Sequence, residues 1–169
     1  MNDTISILDI VEETVVDGPG FRTAVYAAGC PNECPGCHNP LSWDIASGHP
    51  VPVADILEKI KADEFAQVTF SGGDPIFQVD AFTVLARRVK EETGKNIWCY
   101  TGWKYEAIRQ SPRLSQILPY IDVLVDGRFE QKLSSEQLPF RGSANQRLVD
   151  VPASLSAGET VLFPYEQYI

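Results

Sequence analysis

The feature that most constrains the fold is an alternation of short apolar segments with segments of helical periodicity. Strands are predicted at residues 5–11, 21–28, 67–70, 96–100, 122–127 and 147–151. Helical spacing of apolar residues is found in residues 53–62 and 80–93, with shorter helical patterns near 103–110 and 113–118. Strands that alternate with helices favour an α/β fold with a mainly parallel sheet, because crossover helices join parallel strands.

The length of the chain limits how far this alternation can extend. A closed eight-fold β/α barrel usually takes about 250 residues, and this chain has 169. The sequence therefore predicts a single domain, 1–169, that forms an open, partial parallel β/α barrel. Asp80 is predicted to cap the clearest helix and Gly94 to end it. Residues 159–165 are predicted to be a final strand or an extended tail.

Composition and charge argue against several classes of function. The chain has 23 acidic residues against 14 Lys and Arg, a net charge of -9, whereas nucleic-acid-binding proteins usually carry a basic face. No apolar segment approaches the roughly 18 residues of a membrane span, and the first residues lack the pattern of a signal peptide. We therefore expect a cytoplasmic protein with reduced thiols that binds neither nucleic acid nor membrane.

Three of the four cysteines, Cys30, Cys34 and Cys37, follow one another at the spacing C-x3-C-x2-C. Three thiolates can hold a [4Fe-4S] cluster by three corners and leave the fourth iron open, whereas electron-transfer clusters usually have four cysteine ligands. A zinc site of the Cys3His type, completed by His38 or His49, is one alternative. A dithiol redox pair in the motif CPGC is another.

Other predicted strands also end in polar or glycine-containing loops. The segment SGGDP contains Gly72, Gly73 and Asp74, whose backbone groups a ligand could approach closely. The segment DGRF contains Asp126 and Arg128. Since the carboxyl ends of parallel strands share one edge of a sheet, we expect these loops to converge with the cysteines on one site. A plain turn and a surface ion pair remain the alternatives from the residues alone.

Two further residues are expected to have structural roles. Cys99 alternates with two aromatic residues in a predicted strand, which is typical of a buried structural thiol. Arg22, in the segment DGPGFR, is compatible with a tight hairpin turn and a solvated side chain.

The cysteine spacing followed by a glycine-glycine-acid loop resembles the radical S-adenosylmethionine (SAM) superfamily. The longer match over residues 17–48 is similar to the activating enzymes of glycyl-radical proteins. The segments CPGCHNPLSWD, DVLVDGRF and FRGSANQRLVDV are most similar to the branch that acts on anaerobic ribonucleoside-triphosphate reductase. The resemblance spans most of residues 17–151. It implies a partial β/α barrel, a [4Fe-4S] cluster on the three clustered cysteines, and SAM on the open iron.

The resemblance also implies roles for the loop residues. Residues 72–74 of the SGGDP loop would contact the SAM amino group. Asp126 and Arg128 stand where an acid and a lysine contact SAM in the related activating enzymes of pyruvate formate-lyase. His38 is a candidate for stacking on the adenine.

The activity that the resemblance implies is radical generation. A one-electron donor such as a flavodoxin reduces the cluster, SAM is cleaved to methionine and a 5′-deoxyadenosyl radical, and the radical removes a hydrogen atom from a glycine of the partner. The expected partner is the large catalytic subunit of anaerobic ribonucleoside-triphosphate reductase. The alternatives are an activase of another glycyl-radical enzyme, such as pyruvate formate-lyase, and a non-catalytic Cys3His zinc-binding adaptor.

Overall fold

The computed structural model describes residues 3–37 and 40–164. Within them, a seven-stranded open sheet contains β1 (Thr4–Thr14), β2 (Arg22–Ala27), β3 (His49–Pro52), β4 (Gln67–Gly72), β5 (Ile97–Tyr100), β6 (Val123–Asp126) and β7 (Arg147–Asp150). The α-helices are α1 (Val53–Ala62), α2 (Val79–Thr93), α3 (Tyr105–Gln110) and α4 (Val151–Ala157). Short 3-10 helices lie at Pro40–Trp43, Ile45–Ser47, Pro75–Gln78, Leu114–Tyr120 and Gln131–Leu133. No helix in the described part of the chain has the length and apolar character needed to cross a membrane.

The strands lie across the sheet in the order β3-β1-β2-β4-β5-β6-β7. The central strands β2, β4, β5 and β6 are parallel, whereas β1, β3 and β7 pair antiparallel with their neighbours. The predicted α/β class is confirmed, but the expectation of a mainly parallel sheet is correct for the centre and wrong for both edges. The connections explain the difference. Helices carry the chain back between the parallel strands, whereas the short turn between β1 and β2 reverses its direction.

The main hydrophobic core lies between the central strands and helices α1 and α2. The helix face predicted from periodicity is buried, since Phe82, Leu85 and Val89 are inaccessible to solvent. The ring of Phe82 packs 4.9 Å from that of Phe70 on β4. Cys99 of β5 belongs to the same core, as expected of a structural thiol, and burial raises its pKa well above the usual value. Full burial of a large apolar side chain contributes roughly 1.5–3 kcal/mol.

The two ends of α2 differ in how well the sequence predicts them. Gly94 ends the helix in the left-handed conformation, with φ 68°, as predicted. The prediction that Asp80 caps the start is wrong, because a 3-10 helix capped by Asp74 leads directly into α2. The Asp80 carboxylate instead accepts a hydrogen bond from Arg113.

Two elements are absent from the sequence-based prediction. Strand β3 contains Pro50 and Pro52, which have no backbone donor, and prolines are tolerated in a strand at the edge of a sheet. Helix α4 has seven residues, too few to show a clear helical period. In the predicted final segment, Leu162 forms an isolated antiparallel bridge with Val149, and the residues after 164 lie outside the described part of the chain.

The opposite face of the sheet carries a smaller cluster around Trp98, Val123, Val125 and Leu148. Arg22 is only 1% exposed, so the solvated side chain compatible with the sequence is not what the structure has. Its position at the start of β2 directs a guanidinium across the sheet, where polar groups of neighbouring strands surround it.

The guanidinium of Arg22 is held by neutral acceptors. It donates hydrogen bonds to Thr69 Oγ1 at 2.7 Å, to the Val68 carbonyl at 2.7 Å and to Asn96 Oδ1 at 2.8 Å. It also lies 5.5 Å from the ring centre of Trp98, within the range of a cation–π contact. Burial lowers the pKa of Arg22 to about 10, because the charged form loses its hydration. Arg22 thus ties β2, β4 and β5 together at the ends opposite the cysteines.

Candidate functional site

A cavity lies at the carboxyl ends of the parallel strands and is lined by the loop that follows each of them. Its volume is about 290 Å³. The loop after β2 contributes Cys30, Cys34 and Cys37, and the end of β4 with the loop after it contributes residues 71–74. The other lining residues are Tyr26, Asn32, Tyr100, Thr101, Gly102, Gly127, Phe129, Gly142 and Gln146. The structure therefore brings the three cysteines and the SGGDP segment to one place.

A second cavity of about 470 Å³ adjoins the first. Lys104, Arg128, Glu130 and Asn145 border it, so charged side chains of both signs line this side of the site. The residues common to both cavities are Asn32, Cys34, Gly102 and Phe129. The two cavities together have the size that a bound small molecule requires.

The motif CPGC forms a tight turn at the edge of the first cavity. The backbone N–H of Cys37 donates to the Cys34 carbonyl at 3.0 Å, and Gly36 has φ 75°. Proline at the second position and a glycine with positive φ at the third are what a type II turn requires. A side chain at Gly36 would also place its Cβ 2.8 Å from the Gln131 side chain. The turn fixes the separation of Cys34 and Cys37.

The base of the cysteine loop is anchored to the segment that follows it. The backbone N–H of Gly29 donates to the Ser42 carbonyl at 2.7 Å, and that of Cys30 donates to the Trp43 carbonyl at 3.0 Å. These bonds close the loop at both ends. Cys30 and Cys37 are partly exposed, while Cys34 is nearly buried.

The donor set fits a thiolate-ligated metal group. None of the three cysteines forms a disulfide bond in the described part of the chain, and soft thiolate ligands select iron–sulfur clusters, zinc or copper(I). Burial raises the pKa of the Cys30 thiol, and the charge of Asp74 adds to this effect. Among the described residues, no group of three His, Cys, Asp or Glu side chains is arranged to hold a single metal ion.

Of the two histidines considered as a fourth zinc ligand, the structure describes only His49. His49 begins β3, where it pairs with Ile7 of β1 and lines a separate surface cavity with Asp55 and Lys59. The structure therefore separates His49 from the cysteine cavity. His38 lies outside the described residues, so its predicted contact with adenine stays a prediction.

The glycines of the SGGDP segment allow the loop to pack against the cysteine loop. Gly72 has φ 93°, and a Cβ at this position would lie 2.5 Å from the backbone nitrogen of Ala27. A Cβ at Gly73 would lie 2.5 Å from the carbonyl oxygen of Gly29. The backbone N–H of Gly73 donates to Ala27 at 2.7 Å, and that of Asp74 donates to Gly29 at 2.8 Å. Only glycine permits this approach.

Asp74 joins three of the loops that line the cavity. Its carboxylate is 1% exposed. Oδ2 accepts hydrogen bonds from Asn32 Nδ2 at 3.1 Å, Thr101 Oγ1 at 3.0 Å and the Gly102 backbone at 2.9 Å. Oδ1 accepts one from the Ile76 backbone at 3.0 Å. Burial raises the pKa of Asp74, and these four hydrogen bonds oppose the shift.

The side chains of Asp126 and Arg128 lie in different environments, one buried and one exposed. Asp126 is buried, and its carboxylate accepts hydrogen bonds from Arg147 Nε at 3.0 Å, Arg147 Nη2 at 2.5 Å and the Tyr105 backbone at 2.7 Å. Tyr105 is the first residue of α3, so Asp126 satisfies a free N–H at the start of that helix. Asp126 does not line either cavity, whereas the exposed Arg128 lines the second.

Tyr26, Tyr100 and Asn32 line the site but are missing from the sequence-based prediction. The Tyr26 hydroxyl donates to Asp17 Oδ2 at 2.6 Å, and the Tyr100 hydroxyl donates to the Phe140 carbonyl at 2.7 Å. Burial raises the pKa of both tyrosines, more strongly for Tyr100. Tyr26 is the next-to-last residue of β2 and Tyr100 is the last residue of β5. A position at the carboxyl end of a predicted central strand is the sequence signal that could have identified both tyrosines.

Known proteins resemble this chain over most of its length. A family model described as a 4Fe-4S single cluster domain matches residues 16–149. An anaerobic ribonucleoside-triphosphate reductase-activating protein of Vibrio cholerae is 40% identical over 141 residues, which cover 78% of this chain and 89% of the relative. Proteins of that name from Pasteurella multocida and Escherichia coli K12 are 38% and 36% identical over 140 residues, covering 78% of this chain and 89% and 90% of the relatives.

The family-model match includes the cysteine loop, the SGGDP segment and the DGRF segment, all of which lie within residues 16–149. The same match covers strands β2 to β6 and most of β7. The chain belongs to the family of anaerobic ribonucleoside-triphosphate reductase-activating proteins, and it contains the 4Fe-4S domain of that family.

Proposed function

We propose that this chain activates the large catalytic subunit of anaerobic ribonucleoside-triphosphate reductase by radical SAM chemistry. The proposed ligands of the [4Fe-4S] cluster are Cys30, Cys34 and Cys37. The observation that carries the proposal is that these three thiols and the SGGDP backbone line one cavity. Three protein ligands leave one iron of the cluster available to SAM, unlike the four-cysteine arrangement of electron-transfer clusters.

The cofactors supply the reactive chemistry, and the chain binds and orients them. A [4Fe-4S] cluster held by Cys30, Cys34 and Cys37 would, when bound, supply the one-electron reductive cleavage of SAM on which hydrogen abstraction from a glycine of the partner would depend. The CPGC turn and the backbone hydrogen bonds of Gly29 and Cys30 hold the thiols in place.

The SGGDP loop is proposed to bind SAM through its backbone. Gly72 and Gly73 both line the cavity, and their lack of side chains lets this loop pack against the backbone of Ala27 and Gly29 beside the cysteines. Asp74 is proposed to contribute the negative charge that faces the SAM amino group. Its existing hydrogen bonds hold this loop against the loops after β2 and β5.

Different roles are proposed for the two residues of the DGRF segment. Arg128 lines the adjoining cavity and is proposed to contact SAM from there. Asp126 is proposed to contribute indirectly, because its bonds to Arg147 and to the start of α3 fix the loop that carries Arg128. His38 remains the proposed partner of the adenine.

We also propose that the sheet is a partial β/α barrel of the radical SAM type. The four parallel central strands and the position of the site at their carboxyl ends support this assignment. An open barrel would leave room for the partner's glycine loop. The proposed electron donor is a flavodoxin or a similar one-electron protein in the cytoplasm.

Anaerobic reconstitution with iron and sulfide tests the proposal. The wild-type protein should bind about four irons and four sulfides per chain and release 5′-deoxyadenosine from SAM when dithionite is added. Cys34→Ala should lose both properties. Cys99→Ala is the matched control, because Cys99 is a thiol buried in the hydrophobic core, and it should retain the cluster.

Addition of the reductase subunit completes the test. A glycyl-radical EPR doublet should appear on the subunit only when wild-type protein, SAM and reductant are all present. A colourless protein with one zinc ion, or a Cys34→Ala variant that cleaves SAM at the wild-type rate, would overturn the proposal. A doublet that forms on pyruvate formate-lyase and not on the reductase would change the proposed partner.

A further inference from the structure

Asn32 lies between the first two cysteines of the cysteine loop and contacts two groups of the candidate site. Its side-chain nitrogen Nδ2 lies 3.1 Å from Asp74 Oδ2 and 3.6 Å from the sulfur of Cys30. An amide nitrogen carries two hydrogens, so it can serve both acceptors. Asn32 also lines both of the adjoining cavities.

The orientation of the Asn32 amide follows from its partners. An ionised carboxylate only accepts hydrogen bonds, so the nitrogen of the amide, and not its oxygen, faces Asp74. The backbone N–H of Gly102 donates to the same oxygen at 2.9 Å. A Cβ at Gly102 would lie 2.2 Å from Asn32 Nδ2, which shows how closely this backbone packs against the amide.

We infer that Asn32 is a positioning residue that orients Cys30 and raises the reduction potential of the cluster bound there. The inference rests on the proposed ligation of the cluster by Cys30. A hydrogen bond donated to a ligand sulfur stabilises the reduced cluster more than the oxidised one, because reduction adds one electron and increases the negative charge on the sulfurs. The bond to Asp74 holds the amide in place for this role.

The reduction itself needs only an external one-electron donor. One electron passes from the donor to the cluster, and no covalent bond of the protein forms or breaks. Removal of the N–H···S bond should therefore change the equilibrium between the two oxidation states without changing the number of irons bound.

The test compares Asn32→Leu with Thr101→Val in reconstituted protein without SAM. Leucine has nearly the shape of asparagine but no donor. Thr101→Val removes another hydrogen bond to Asp74 Oδ2, at 3.0 Å, and leaves the contact between Asn32 and Cys30 in place. The readouts are iron content and the reduced fraction at a series of applied potentials, followed by the visible absorbance and the EPR signal of the reduced cluster.

For Asn32→Leu, the ratio of reduced to oxidised cluster at a given potential should fall about tenfold, equivalent to ~59 mV for one electron. Asn32→Ala, which removes the amide without adding bulk, should show a shift in the same direction. Thr101→Val should keep the wild-type ratio. Iron content should match the wild type in all three variants.

An unchanged ratio in Asn32→Leu and Asn32→Ala, with full iron content, would overturn the inference. An equal shift in Thr101→Val would also overturn it, because the origin would then be Asp74 and not the N–H···S bond. Failure of the wild-type protein to bind iron would instead reject the proposed ligation by the cysteines. The inference and the proposed function therefore fail in distinguishable ways.

Discussion

Arg22 and Asp74 are charged side chains that are almost fully buried and hydrogen-bonded to neutral groups. A buried charge is costly unless its hydrogen bonds are satisfied. Arg22 donates hydrogen bonds that join β2, β4 and β5 at the ends that lie away from the site. Asp74 accepts hydrogen bonds that join the loops at the opposite ends of the same strands. The two residues therefore hold together both ends of three of the four parallel strands, β2, β4 and β5.

Arg22→Lys tests the structural role of the guanidinium. Lysine keeps the charge but lacks the planar fork that reaches Thr69, Val68 and Asn96 together. We expect the free energy of unfolding to fall by about 2 kcal/mol, because at least one buried acceptor loses its donor. Urea denaturation measures this change. Arg87→Lys on the exposed side of α2 is the matched control and should change stability by less than about 0.5 kcal/mol.

Asp74→Asn tests whether the carboxylate is needed to join the loops. Both carboxylate oxygens accept hydrogen bonds, so the amide nitrogen of asparagine would face a donor at either position. We expect a loss of about 1–3 kcal/mol in the free energy of unfolding, together with lower iron content after reconstitution. Asp80→Asn, an exposed change at a carboxylate that also accepts side-chain hydrogen bonds, should leave iron content unchanged. Equal iron content in the two variants would contradict the joining role.

At the scale of secondary-structure elements, the loops at the carboxyl ends of the strands depend on close backbone contacts. Gly72, the last residue of β4, touches the end of β2, and Gly73 touches the loop after β2, at distances that no other residue permits. The hydrogen bonds from Gly73 and Asp74 to the β2 loop follow from this contact. The position of the cysteines is therefore determined partly by the SGGDP segment.

Gly73→Ala, compared with Gly94→Ala, distinguishes the effect of this close contact from the effect of backbone strain on stability and iron content. The added Cβ would lie 2.5 Å from the Gly29 oxygen, next to Cys30, so the two loops must move apart. We expect a loss of about 1–3 kcal/mol in stability and incomplete cluster assembly. Gly94→Ala is the control. An alanine at the φ of 68° found there costs about 1 kcal/mol, but its Cβ would have open space around it. Thermal unfolding and iron analysis should show loss of stability in both variants and loss of iron only in Gly73→Ala.

The sequence predicts elements whose signal is local. Helix α2 is predicted because Phe82, Leu85 and Val89 repeat on one face, and the SGGDP turn is predicted from its glycines. Strand β3 is missed because its prolines argue against a strand unless its edge position is known. The contact between Asn32 and Asp74 joins residues 42 positions apart, so no local pattern could reveal it. The cysteine spacing and the family resemblance predicted more of the candidate site than residue periodicity did.

At the scale of the whole molecule, the hydrophobic core and the candidate site lie in different parts of the fold. The core lies between the sheet and its helices, whereas the site lies at the carboxyl ends of the parallel strands. The core between the central strands and helices α1 and α2 consists of fully buried apolar side chains. The site consists of loops joined mainly by hydrogen bonds to Asp74 and to the cysteine loop. Local stability should therefore be highest in the core. The local stability of the loops should depend on whether the cluster is bound.

Removal of the cluster by an iron chelator should loosen the loops and leave the core intact. A group that binds only the folded site adds its binding free energy to the stability of that site. We expect amide hydrogen exchange to accelerate at least about tenfold, a loss of ~1.4 kcal/mol in local stability, in residues 29–37, 71–74 and 101–103. Protection in α2 should change little, because its contacts are with the hydrophobic core. Cys34→Ala, prepared without a cluster, should give the same pattern as the chelated wild type. Equal acceleration in α2 and in the loops would show instead that the cluster stabilises the entire fold.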